Sequence, residues 1–309
     1  MLIRVHVCGV CHTELDELAG RLRPPRIPVV PGHQAVGIVD EVGPGVTAFA
    51  PGDRVGVAWI FSACGDCSYC RSGQENLCNE FRATGCDADG GYAEYLVVGE
   101  AFAHRIPDVL TDAEAAPLLC GGAIGYRSLR LTGIAEGGVL GLVGFGASAH
   151  LVLQLAKSRY PGTRVCVFAR DVSEQEFARV LGADWAGGIE DIPPWQPFAI
   201  IDTTPVWTPV LQALRVLAPG GRLVINAIRK EDADRDALRQ LSYTDQLWRE
   251  KEIKSVANVT RRDVRECLAA AAESGIRPEV QEHPLAHANA ALAEIRAGRI
   301  RGARVLRIR

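Results

Sequence analysis

The chain has 309 residues, 48% of them hydrophobic and 23% charged, with a formal net charge of −3. That length accommodates two domains, each with its own core, and the near-neutral balance gives no electrostatic reason to expect nucleic acid or an anionic membrane as a partner. No apolar run approaches the ~20 residues that span a bilayer. The opening residues, Met1 to Val7, alternate like a strand and lack the apolar stretch of a signal peptide. A cytoplasmic protein is expected, and since stable disulfides are rare in that compartment the ten cysteines call for another explanation.

Residues 1–120 are rich in glycine, proline and short β-type runs, at 36–42, 54–57 and 92–98, each bounded by turn residues. They predict an irregular β domain with long loops. Inside it lies the densest motif of the chain, Cys64, Cys67, Cys70 and Cys78, spaced C-x2-C-x2-C-x7-C. Four thiolates complete the tetrahedron that zinc prefers, so this site is structural and keeps no position for chemistry. Gly65 and Gly73 give the loop the freedom to turn its sulfurs inward.

Beyond Gly121-Gly122 the pattern changes to alternating strands and helices. Strands are predicted at 139–143, 164–169, 198–202, 222–227 and 252–256, with helices at 147–158, 174–181 and 209–217. This alternation implies a doubly wound parallel sheet. Helices at 262–273 and 286–297 precede a last strand at 303–308, and this tail is expected to return to the first domain. The expected division is 1–122, 123–257 and 258–309.

The first strand of the second domain runs into Gly144-Phe145-Gly146-Ala147-Ser148-Ala149, a G-x-G-x-x-A sequence. Gly144 would make the tight turn, Gly146 would let backbone approach a pyrophosphate, and Ala149 would let helix and strand pack closely. The helix N-terminus adds a partial positive charge for the phosphates. Alone, the motif is also compatible with a plain strand–helix turn; between a strand and a helix it predicts a dinucleotide. The second strand ends Ala169-Arg170-Asp171. An acid there would select NAD and an arginine NADP; Arg170 leans the reading to NADP, although it also fits as a surface residue and Asp171 could recover a ribose contact.

Three further segments, Gly9-Val10-Cys11-His12-Thr13-Glu14, Pro31-Gly32-His33-Gln34 and Pro117-Leu118-Leu119-Cys120-Gly121, stand in order with the four-cysteine run and the glycine loop. Together they resemble the zinc-dependent alcohol dehydrogenases of the medium-chain dehydrogenase/reductase superfamily, over essentially the whole chain. The resemblance implies an α/β protein with a GroES-like β-rich catalytic domain and a Rossmann domain, two zinc ions per subunit, NAD(P), a small alcohol or aldehyde substrate, and a homo-oligomer, dimer or tetramer. It makes Cys11, His33 and Cys120 ligands of a catalytic zinc with the fourth position open. Thr13 becomes the hydroxyl that relays the alcohol proton, His12 a contact to the cofactor pyrophosphate, and Trp59 and Leu22 walls of the substrate pocket. Without the resemblance, His33 reads as a loop histidine, Cys120 as a buried thiol, Thr13 as a turn residue and Trp59 as core.

Several positions depart from the family pattern. Gln34 stands where the family has glutamate behind the zinc, Glu14 where it has aspartate, and Asp16 where many members end the proton relay with histidine. Changes behind metal ligands cost ~10–100-fold in affinity or activity. Members also carry strands ahead of the segment matching residues 2–7, so either the true start lies upstream or part of the β domain is lacking, in which case an unpaired sheet edge would be a hazard. These departures motivate an alternative: a weakly active or non-catalytic zinc-containing nucleotide-binding relative. A zinc-free quinone or enoyl reductase fits poorly, since it gives no reason for the seven cysteine and histidine ligands.

Overall fold

The computed structural model describes residues 1–298 and 301–309. In chain order the first half carries β1 (Leu2–Val10), α1 (His12–Leu18), β2 (Ala35–Glu41), β3 (Arg54–Val57), β4 (Ile60–Ser62) and α2 (Ser68–Arg71). It continues with β5 (Arg82–Ala83), β6 (Tyr95–Val97), β7 (Ala103–Arg105), α3 (Asp112–Pro117) and α4 (Ala123–Thr132). There follow β8 (Val139–Val143), α5 (Ala149–Arg159), β9 (Arg164–Phe168), α6 (Val172–Val180), β10 (Trp185–Gly187), β11 (Ala199–Asp202), α7 (Thr208–Val216), β12 (Arg222–Ile225) and β13 (Glu252–Ser255). The last elements are α8 (Arg261–Glu273), β14 (Val280–Pro284), α9 (Ala288–Arg296) and β15 (Ala303–Arg307). Two compact units result, one of Met1–Ala123 with Asn258–Arg309, the other of Ile124–Ala257.

The first unit is built on a sheet of order β14-β15-β1-β2-β3-β7, with β6 also pairing β1. Alternation along β1 sends Ile3 and Val5 inward, where they join Val39, Val55 and Val57 in a buried cluster. An unpaired edge is not found at β1. That strand is interior: Ile3 lies opposite Val39 on one side, and Val7 opposite Arg307 on the other. The C-terminal strand β15 is its neighbour there. Gly37 permits the tight β1–β2 approach, since a Cβ there would sit 2.1 Å from the Arg4 carbonyl oxygen.

The second unit is a parallel six-stranded sheet of order β10-β9-β8-β11-β12-β13. Strands β8, β9 and β11 are near-continuous buried apolar runs, as expected of parallel strands covered on both faces, whereas the edge strand β13 is exposed. Val143, Cys166, Phe168, Ile200, Leu214, Leu217 and Leu223 form the core on one side; truncating one such leucine to alanine costs about 2–5 kcal/mol. Chain order reverses between β8 and β11, and ligands of open α/β sheets bind beyond the strand ends at such a reversal.

Candidate active site

The four-cysteine loop folds as its spacing requires. Gly65 and Gly73 both turn with positive φ, at 87° and 69°, a conformation that costs glycine nothing. Cys67 caps the short helix α2 by accepting from the Cys70 N–H. The Cys64 and Cys70 sulfurs lie 3.8 Å apart, and those of Cys78 and Cys64 lie 3.5 Å apart. Ligands 2.3 Å from a tetrahedral zinc would place sulfurs about 3.8 Å from one another, so the donor set fits the metal. Backbone N–H groups of Cys67 and Glu80 donate to the Cys64 and Cys78 sulfurs. The lobe is anchored through Glu75, which is buried and accepts from both the N–H and the Nε of Arg261 at the start of α8.

Cys11, His33 and Cys120 arrive from three separate places. Cys11 is the N-cap of α1, His33 precedes β2, and Cys120 sits in a π-helical turn, Leu118–Gly122, between α3 and α4. Such turns are rare, and they shift a side chain out of the regular helical register at functional sites. His33 Nε2 lies 3.4 Å from the Cys11 sulfur and 3.2 Å from that of Cys120. A tetrahedral zinc would hold sulfur and nitrogen about 3.5 Å apart, so this trio also fits a metal.

Glu14 joins two of these ligands. One carboxylate oxygen accepts from the Cys11 N–H at 2.8 Å, closing a capping box on α1. The other lies 2.8 Å from His33 Nδ1, with both side chains 1% exposed. With Nδ1 facing the carboxylate, Nε2 is the ring nitrogen that faces the two sulfurs. Burial lowers the His33 pKa, but Glu14 and Cys11 raise it by more, and it ends well above the ordinary value. Cys11 is likewise raised well above, first by the adjacent Cys120 thiol and then by burial and Glu14.

The expected neighbours are distributed unevenly. Trp59 is 6% exposed, and its ring stands edge-on to His33 at 4.9 Å between centroids. It packs with Ala83, Cys86, Leu22 and Phe81; Phe81 and Cys86 carried no spacing signal that could have singled them out. Thr13 is buried on α1, and His12 is exposed at its first position. Asp16 accepts from Arg21 Nε at 2.7 Å, so it is engaged with an arginine. Gln34 is buried over Gly9, where a Cβ would meet its side-chain oxygen at 2.6 Å. The carboxylate that faces His33 is that of Glu14, on α1.

In the second unit, Gly144 turns with φ of 79°, and a Cβ there would come within 2.8 Å of Thr203 Oγ1. No atom lies within 4 Å of where a Gly146 Cβ would project, which is the open cradle a pyrophosphate needs. Ala149 is fully buried at the start of α5. Arg170, beyond β9, is 90% exposed, with its guanidinium 3.8 Å from the Asp171 carboxylate.

Known proteins are similar to this chain over nearly its whole length. The alcohol dehydrogenase GroES-like domain family matches residues 1–108. A Mycobacterium tuberculosis protein, "Probable alcohol dehydrogenase AdhA", is 46% identical over all of this chain and 88% of its own length. The chain belongs to the zinc-type alcohol dehydrogenase family. Among solved structures of that fold, a cinnamyl alcohol dehydrogenase from Sorghum bicolor is 29% identical with a TM-score of 0.84, covering 99% of this chain and 89% of that one. A CAD from Helicobacter pylori complexed with NADP(H) has a TM-score of 0.88 over 99% of this chain and 89% of that one; at 24% identity it speaks for the fold. Among the described residues, no helix of this family member is long and apolar enough to cross a membrane.

Proposed function

We propose that the chain interconverts alcohols and aldehydes or ketones by hydride transfer with NAD(P), using one zinc for chemistry and a second for structure. The single observation that carries this reading is the Cys11–His33–Cys120 trio, three donor atoms all within 4.8 Å of one another, which would hold one zinc and leave its fourth tetrahedral position for substrate. A zinc held there would supply Lewis acidity to an alcohol or carbonyl oxygen, and a nicotinamide would supply or take the hydride. The residues of the chain do the rest. Glu14 fixes the imidazole ring, and Trp59 with Leu22 and Phe81 gives an apolar wall that excludes water from the reacting carbon. Thr13 carries a hydroxyl that accepts one proton while donating another, so it relays without becoming charged. His12 is assigned to the pyrophosphate, together with Gly144, Gly146 and Ala149.

Further details of the reading rest on single residues. Arg170 supports NADP over NAD. Ten free thiols and no disulfide among the described residues suit a cytoplasmic enzyme, and a dimer or tetramer is proposed from the family. The test is metal content by mass spectrometry with NAD(P)H oxidation over a panel of aldehydes. Two zinc ions per chain and turnover abolished by Cys11→Ser are expected. One zinc and no turnover in a well-folded sample would leave the non-catalytic alternative. For the coenzyme, a KM lower for NADPH than for NADH, with the difference erased by Arg170→Ala, is the expected result; an NADH preference untouched by Arg170→Ala would reverse the assignment.

A further inference from the structure

The second unit buries a charge pair that hydride transfer does not call for. Asp202, at the end of β11, is fully buried, and the Lys230 side chain, in the segment after β12, is 8% exposed. Lys230 Nζ donates to one oxygen of Asp202 and to the backbone carbonyls of Thr204 (2.8 Å) and Val206 (2.9 Å). The other Asp202 oxygen accepts from the Thr204 N–H and hydroxyl. Two further ties hold the same segment. The Glu231 N–H donates to the Pro205 carbonyl at 2.6 Å, and Asp234 accepts from the N–H groups of Trp207 and Thr208 at the start of α7. Residues 230–234 are therefore fastened along the turn 203–208.

That turn forms one side of the glycine loop. Thr203 donates from both its N–H and its hydroxyl to the Val143 carbonyl, at 2.9 and 3.0 Å. Its Oγ1 occupies the space a Gly144 Cβ would need. From β12, Asn226 reaches the Ser148 hydroxyl ahead of α5 at 3.3 Å. A buried lysine–aspartate pair is seldom more stabilising than well-packed apolar residues of the same volume, and its best-attested use is to fix one arrangement. Here the arrangement fixed is the wall of the pyrophosphate cradle.

We infer that Lys230, with Asp202, is a positioning residue for the dinucleotide: it holds the 203–206 turn so that Thr203 sets the Gly144 turn and leaves the Gly146 cradle open. The inference rests on the reading of the glycine loop as a dinucleotide site. Lys230 itself touches no cofactor in this role, because its ammonium is used up by one carboxylate and two carbonyls.

The test is a fluorescence titration of the full chain with NADH and with NADPH, alongside thermal unfolding and zinc content. Lys230→Met should raise the coenzyme Kd about tenfold, and Lys230→Arg, which keeps the charge but not the three-point geometry, should fall between it and the parent chain. Lys230→Met leaves the Asp202 carboxylate without its cation, so Asp202→Asn with Lys230→Met provides a variant with no buried charge. It should keep two zinc ions and still bind coenzyme several-fold more weakly. Thr203→Val, with the ion pair intact, should reproduce part of the loss. A folded double variant whose Kd lies within twofold of the parent's, even with a lowered Tm, would reduce the pair to a packing role and overturn the inference. Failure of the parent chain to bind either coenzyme would overturn the dinucleotide reading, and this inference with it.

Discussion

The four-cysteine lobe and the Cys11–His33–Cys120 trio answer the same chemical problem in opposite ways. The lobe takes all its donors from a stretch of fifteen residues, and two left-handed glycines suffice to gather them. The trio takes one donor from a helix cap, one from a loop and one from a π turn, and depends on the whole first unit to bring them together. A local, closed donor set makes a staple, whereas an assembled, open one makes a reaction centre. The assembled set also needs outside help, and Glu14 gives it by bonding the Cys11 backbone and facing His33.

Breaking each set should therefore produce a different kind of failure. Cys11→Ser should lower turnover by about a thousandfold or more, since several kcal/mol of transition-state stabilisation is typical of a metal acting as Lewis acid. Metal content should drop from two ions to one, and Tm should change little. Cys70→Ser should do the reverse: loss of the other ion, a fall in Tm of many degrees, and proteolytic cleavage within 64–78, because structural zinc contributes folding free energy directly. If both variants lost both metals together, the two sites would not be independent.

Glu14→Gln sharpens the contrast on the assembled side. Removing the charge facing His33 should cost ~10–100-fold in metal affinity or activity, readable by competition with a chelator. Gln34→Glu should restore part of the loss in that background, and no recovery would mean the two positions are not equivalent. An effect on pH dependence rather than on metal binding is expected near the lobe. His104 on β7 is 2% exposed, and both ring nitrogens lack a hydrogen-bond partner among the described residues. Burial first, then the charges of Arg265 and Arg261, lower its pKa to about 3. The folded value lies below the unfolded one, ~6.5, so the unfolded chain binds the extra proton. The contribution is intact above pH 6.5 and drains away as pH falls toward 3, with a limiting slope of ~1.4 kcal/mol per pH unit. His104→Phe should flatten urea-unfolding stability between pH 6.5 and 4; an unchanged slope would assign acid sensitivity to other groups.

The sequence was informative where the physics is local. Strands β3 and β8 and the helix–strand alternation of the second unit follow from apolar runs and turn residues, and the four-cysteine lobe from spacing alone. Strand β14, Val280–Pro284, was not foreseen because it is polar and half-exposed at an edge, with no alternation to read. Helix α1 escaped because seven residues, three of them acidic, give no apolar stripe. Cys11, His33 and Cys120 were found only through resemblance, since donors 22 and 87 residues apart carry no spacing signal. The role of Glu14 was the hardest to see. Its only local trace is a cap residue followed three positions later by glutamate; the contact with His33 exists only once the first unit has folded.

The pairing of β1 with β15 sets an order of events during synthesis. The second unit is continuous in sequence, so its sheet can complete while the ribosome is still making the chain. The first unit cannot, because the strand that leads to Cys11 borders residues 304–307, nearly three hundred positions later. Contacts this distant in sequence close slowly. The second unit can thus close early, while the sheet of the first unit is completed only when its C-terminal strand has docked.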